Sequence, residues 1–225
     1  MRLTNSRYIK IGDNYYDRLT STIKTCYDLK SDENYSSAIS SAKKKYARSL
    51  YIHTKPSKIT DILSKAYVYF SLIITIVLFP IYIRYNINIE NLNIVLLVCT
   101  FIISLLASLF LHELSHAIIA HFQGAYVIEI GIKIREHYPR YYAKVLWNDK
   151  FSVCKKITFY LAGVATQLYL FNILYLVYLG TYYSCVFISA MLNLFFVIIN
   201  LIPLKNSDGR NIAKLLIKQI RVKLK

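Results

Sequence analysis

Two histidines four residues apart, His112 and His116, flank Glu113 in the stretch LHELSHAIIAHF, residues 111–122. On a helix, positions i and i+4 share a face, so both imidazoles can converge on one metal ion while the neighbouring carboxylate handles protons. The chemistry such a trio serves is metal-assisted hydrolysis. A zinc ion doing that work usually takes a third protein ligand and keeps a fourth position for water.

Several residues compete for the third place. Glu129, Glu136, His137 and Asp149 follow in the next polar segment, and His121 lies just past the motif. Placing a third histidine six residues after His116, with glycine at the third, is the pattern of one soluble class; here those positions hold Phe122 and Ile119. Glu129 falls in VIEIGIKI, whose alternation reads as strand. His53 has no chemical partner nearby in sequence. A different candidate stands at the end of a later apolar run: NLIPLKNSDGR places Asn200, Pro203, Asp208 and Gly209 at the mouth of a helix. Pro203 stops or bends that helix, and Gly209 frees the backbone beside Asp208 to turn back.

The elements that position these residues are apolar. Residues 66–83, 92–111, 157–179 and 184–203 contain no Asp, Glu, Lys or Arg. Each is close to the roughly 20 residues a helix needs to cross a bilayer. Tyrosines such as Tyr67, Tyr82, Tyr178 and Tyr183 gather near the span ends, as in an aromatic belt. The first span begins too late for a signal peptide. Thr100, Ser104, Ser108, His112 and His116 recur every fourth residue, so one polar stripe of the second span faces the bundle interior. Ionisable residues in such a setting are costly and are kept for function or pairing; the plainer reading is a Ser/Thr packing seam ending in interfacial histidines.

Charge orients the spans. The chain of 225 residues carries 28 basic and 12 acidic residues, a formal net charge of +16, and is 56% hydrophobic. The basic excess lies before residue 66, in 121–156 and after 203, whereas 84–91 and 180–183 hold Arg84 as their only base. The positive-inside rule therefore expects a multi-pass protein of the cell membrane with both termini and the 121–156 loop in the cytosol. Basic residues alternating with membrane-length apolar runs argue against a nucleic-acid binder. Cys26, Cys99, Cys154 and Cys185 form no CxxC pair and read as free thiols on a reducing side.

HELSH together with NLIPLKNSDG resembles the paired signatures HExxH and NxxPxxxxDG of the site-2 protease family, intramembrane zinc metalloproteases. The layout looks like the smaller bacterial members described as peptide zinc metalloproteases. The resemblance covers roughly residues 92–210 and implies a three-helix catalytic core in which His112, His116 and Asp208 bind Zn2+ and Glu113 is the general base. Where the family often carries Ala-Gly-Pro-x-x-Asn, the chain has AGVATQ at 162–167, so Val164 and Gln167 depart from the pattern.

The expectation is thus an all-α membrane protein of about four transmembrane helices with a cytosolic β-hairpin loop. Residues 1–65 form a basic N-terminal region, partly helical over 31–50; 66–83 an extra span; 92–210 the core; and 211–225 a basic amphipathic helix suited to anionic inner-leaflet lipids. AYVIEIGIKI and RYYAKVLW around REHYPR read as the hairpin, whose edge could pair with an unwound substrate. Asn200 is either an amide donor to the substrate backbone or oxyanion, or a helix–helix hydrogen bond. The expected activity is zinc endopeptidase action on a membrane-embedded or membrane-associated protein or peptide. The alternative is a non-catalytic membrane accessory or immunity protein for a secreted peptide.

Overall fold

The structure, a computed structural model, describes residues 2–4, 8–11, 14–17, 22–25, 49–51, 57–84, 94–135, 138–147, 152–205 and 207–223. It is mostly helical. The helices are α1 (Lys58–Arg84), α2 (Ile94–Phe122), α3 (Val153–Thr181), α4 (Ser184–Leu201) and α5 (Asp208–Lys223). The first four are long and apolar enough to cross a membrane, and the chain reads as a membrane protein. Each contains or nearly coincides with the apolar run expected for it. The second carries on past its uncharged run, through HELSH to Phe122, so the stripe from Thr100 to His116 lies on one helix.

Local signals set the helix ends. Ser57 and Thr60 cap α1 reciprocally, each backbone N–H donating to the other's hydroxyl at 3.1 Å. Ser152 caps α3, accepting from the Lys155 N–H at 3.4 Å. α2 ends in a Schellman turn: Ala125 N–H donates to the Ala120 carbonyl and Gly124 N–H to that of His121, both at 2.9 Å. Gly124 takes φ 81°, a conformation that side chains disfavour, and this sends the chain straight into the hairpin.

α3 is the hub, packing against α1, α2, α4 and α5. Its Phe171, Tyr175 and Tyr178 form a core with Phe187 and Ala190 of α4. Polar rungs fix the helix pairs. Tyr82 Oη donates to Asn172 Oδ1 at 2.8 Å, Asn172 Nδ2 to Thr75 Oγ1 at 2.9 Å, and Tyr67 and Thr166 hydroxyls meet at 2.7 Å, tying α1 to α3. Between α2 and α4, the Ser104 and Ser189 hydroxyls meet at 2.7 Å and Ser108 donates to Asn193 Oδ1 at 2.8 Å. Each rung satisfies polar groups that would be costly in hydrocarbon. The stripe expected on α2 is therefore a packing seam over its upper turns and becomes something else at His112. Conversely, Ile94, Val95, Leu96, Ile102 and Ile103 are exposed, as lipid-facing residues would be.

The loop between α2 and α3 is an antiparallel hairpin, β6 (Tyr126–Arg135) with β7 (Tyr138–Leu146). Its pairing is irregular between Val127 and Glu129. The base of the hairpin is anchored: Ala125 and Val127 join Ala117, Ala120 and Phe159 in a buried cluster that Trp147 packs against. Before α1 the backbone forms short strands, β1 (Arg2–Thr4) pairing β5 (Ser49–Tyr51), and β2 (Tyr8–Ile11), β3 (Asn14–Asp17) and β4 (Thr22–Thr25) forming a three-stranded antiparallel sheet. The expected helix over 31–50 lies outside the described residues except at 49 and 50, which are strand; the alternation of apolar and polar residues in SLY suits that state.

Candidate metal centre

His112 and His116 project from the last three turns of α2, one turn apart, and are 7% and 4% exposed. Asp208 meets them as the first residue of α5. His112 Nε2 lies 3.1 Å from His116 Nε2 and 3.1 Å from Asp208 Oδ2, and His116 Nε2 lies 3.3 Å from the same oxygen. Among the described residues this is the group of three whose ligand atoms can hold a metal ion.

The triangle fits a cation. Ligand atoms bound to a tetrahedral zinc at the usual distances are separated by roughly 3.3 Å. His116 Nδ1 lies 2.7 Å from the Phe159 carbonyl oxygen, which can only accept, so this nitrogen carries the hydrogen and Nε2 of the neutral ring keeps its lone pair. Asp208 Oδ2 is buried and has no hydrogen bond of good geometry to any described residue, despite its two close imidazoles. Buried lone pairs gathered this closely are costly unless a positive centre satisfies them. Burial pushes the Asp208 carboxyl up, but its contacts with and attraction to His112 and His116 outweigh that and hold it well below the usual carboxylate range. Its place at a helix N-terminus also favours the anion.

Two backbone features seat the ligands. At Gly163 of α3 a Cβ would overlap the His112 ring at Cε1, Nδ1 and Nε2, so the ring occupies the space that any side chain there would fill. At Gly209 a Cβ would overlap the Leu201 carbonyl, which lets the start of α5 press against the end of α4. Ser207 caps α5, accepting from the Arg210 N–H at 3.2 Å and donating to the Ile202 and Leu204 carbonyls at 2.7 and 3.0 Å. That bracing holds the turn that follows Pro203.

Glu113 does not join the triangle. It is half-buried beside it, and its Oε2 accepts from the Ala143 N–H of β7 at 3.1 Å. The hairpin edge thus reaches the carboxylate. Asn200 Nδ2 donates to Gln167 Oε1 at 3.1 Å, joining α4 to α3, which is the helix–helix hydrogen bond of the two readings. Gln167 is fully buried, and its Nε2 has no partner among the described residues.

Of the other third-ligand candidates, Glu129 on β6 and His121 at the end of α2 are not part of the group. Glu136, His137, Asp149 and His53 lie outside the described residues. Sequence reasoning assigned no role to Gly163, the Phe159 carbonyl or the Ala143 N–H. The glycine in AGVATQ was the available signal; the two backbone groups carry none. Comparison with protein-family models, with curated proteins and with solved structures finds no match to this chain.

Proposed function

We propose that the chain is an intramembrane zinc metalloendopeptidase of site-2 protease type, hydrolysing a peptide bond in a membrane-embedded or membrane-associated protein or peptide. The observation that carries this reading is the triangle of His112, His116 and Asp208, with a carboxylate from the same helix turn, Glu113, beside it. Its resemblance to HExxH and NxxPxxxxDG adds the second support.

His112, His116 and Asp208 would hold the ion, which supplies Lewis acidity toward a water molecule and the scissile carbonyl. Glu113 takes a proton from the attacking water and returns one to the leaving amine. The Ala143 N–H holds the Glu113 carboxylate in one orientation. Phe159 fixes the His116 tautomer through its carbonyl, and Gly163 admits the His112 ring. Asn200, engaged with Gln167, serves first to set the spacing of α3 and α4 around the centre.

Glu113→Gln tests the reading. The substitution is nearly isosteric and removes the base without removing a proposed ligand. Zinc content should stay near that of the native chain, while an uncut membrane-associated precursor accumulates in comparative membrane proteomics. Loss of turnover by roughly 10²–10⁴ is the size expected for a missing general base. Unchanged cleavage would remove Glu113 from the mechanism, and absence of any accumulating precursor with zinc bound would favour the non-catalytic accessory role.

A further inference from the structure

α5 begins with a proposed ligand and continues as a surface of two kinds. At the helical period Asp208, Ile212, Leu216 and Ile220 follow one arc, and Arg210, Lys214, Lys218 and Arg221 the opposite one. α5 packs against α3 and α4, and residues 209–213 at its start are buried or half-buried. Farther along this arc, Leu216 and Ile220 are 44% and 57% exposed. The arc that buries Asp208 in the bundle therefore runs on with no surface among the described residues to cover it.

We propose that this part of α5 docks on an anionic bilayer surface, and that docking seats Asp208 in the metal centre so that lipid charge governs metal retention. The proposal rests on the reading of His112, His116 and Asp208 as metal ligands. Charge complementarity chooses the occupant: an exposed apolar stripe with four cations on the opposite face fits the boundary between acyl chains and acidic headgroups. The four helices that can span a membrane put that boundary within reach of the same chain. Coupling follows from the covalent geometry, because a helix moves as a rod and Asp208 is its first residue. The start of the rod is pinned by the Ser207 cap and the Gly209 contact, so a tilt at Ile220 pivots there and swings the Asp208 side chain within the triangle, and a ligand displaced by an ångström is a poor ligand.

The test uses the full chain reconstituted in nanodiscs of phosphatidylcholine alone or mixed with phosphatidylglycerol. Two quantities are followed: amide hydrogen exchange along α5, and the rate at which bound zinc is lost to excess chelator. With the anionic lipid, exchange of the amides after residue 213 should slow and zinc loss should be roughly tenfold slower, the scale that a few basic residues near an acidic surface supply. High salt should abolish the difference by screening. Substituting Lys214→Gln, Lys218→Gln and Arg221→Gln together should make the two membranes equivalent, as should Leu216→Ser with Ile220→Ser. Zinc lost at one rate in both lipids, with α5 protected only in the anionic one, would overturn the coupling. Equal exchange in both would overturn the docking. A chain that binds no zinc in either membrane would instead overturn the metal reading, while the exchange data still report on docking.

Discussion

Gly163 lies flush against the imidazole of His112, on the neighbouring helix, with no room between them for a methyl group. Gly163→Ala must therefore push the ring or spread α2 from α3. Alanine is otherwise favourable in a helix interior, so the fold should persist or gain slightly in helix propensity. Zinc affinity should fall roughly 10- to 100-fold, the usual cost of disturbing a group that orients a ligand. Titration of the purified variant with a competing chelator, with helicity measured in parallel, checks this; native affinity would show that the ring has another resting place.

Asp208→Ala should empty the centre, since it removes the anionic donor and leaves two imidazoles. Glu129→Ala and His121→Ala should retain metal, because neither belongs to the triangle. Asp208→Glu keeps the charge but moves it by a methylene, so partial retention with poor activity is expected. Zinc per protein on folded, detergent-purified variants decides among these. Full occupancy in Asp208→Ala together with loss in Glu129→Ala would transfer the third ligand to the hairpin.

Acid should release the metal through the histidines. The Asp208 carboxyl is held well below the ordinary range by its two imidazole neighbours, against the opposing effect of burial. A carboxyl lowered in this way contributes stability that is complete above its unfolded value of about 3.9 and lost only as pH falls through the lower folded one. Asp208 therefore stays anionic throughout the neutral and mildly acidic range. Imidazoles must be neutral to bind, and their ordinary value is about 6.5. Zinc content should be flat above about pH 7 and fall as the solution is acidified through pH 6 to 5, with close to two protons taken up per ion. Equilibrium dialysis across that range checks the slope. Metal retained down to pH 4 would mean that proton competition at the imidazoles does not govern its release.

Reporters fused after residues 65, 150 and 225 should all score cytosolic, because the basic residues concentrate before the first span, between the second and third, and after the fourth. An extracytosolic score at residue 150 would invert the bundle.

Periodic features of the chain were the easiest to read before the fold was known. The fourfold recurrence from Thr100 to His116 places a stripe on one face without knowledge of what it meets, and the alternation in VIEIGIKI marks a strand in the same way. Asp208 was legible through punctuation: Pro203 ends one helix and Gly209 lets the chain turn back beside it, and the structure adds the Ser207 cap that fixes the DG following it. The amphipathic helix was expected from residue 211, but the cap at Ser207 starts it at Asp208, which makes the ligand part of the helix. Contacts between distant segments left no such trace. Nothing in AGVATQ states that Gly163 will face an imidazole, and nothing in NLIP states that Asn200 will meet Gln167. Both depend on how α3 is rotated about its axis, which is decided by packing on several helices at once.

The metal triangle draws on the end of α2 and the start of α5, so the hairpin and two complete membrane helices lie between its members along the chain. During synthesis both histidines and Glu113 enter the bilayer while Asp208 has yet to be made. Under the proposed reading, a nascent chain in that interval holds two of the three ligands and lacks the third. The triangle closes only when α5 meets α3 and α4. On that reading, the order in which the centre is assembled is in this way written into chain connectivity.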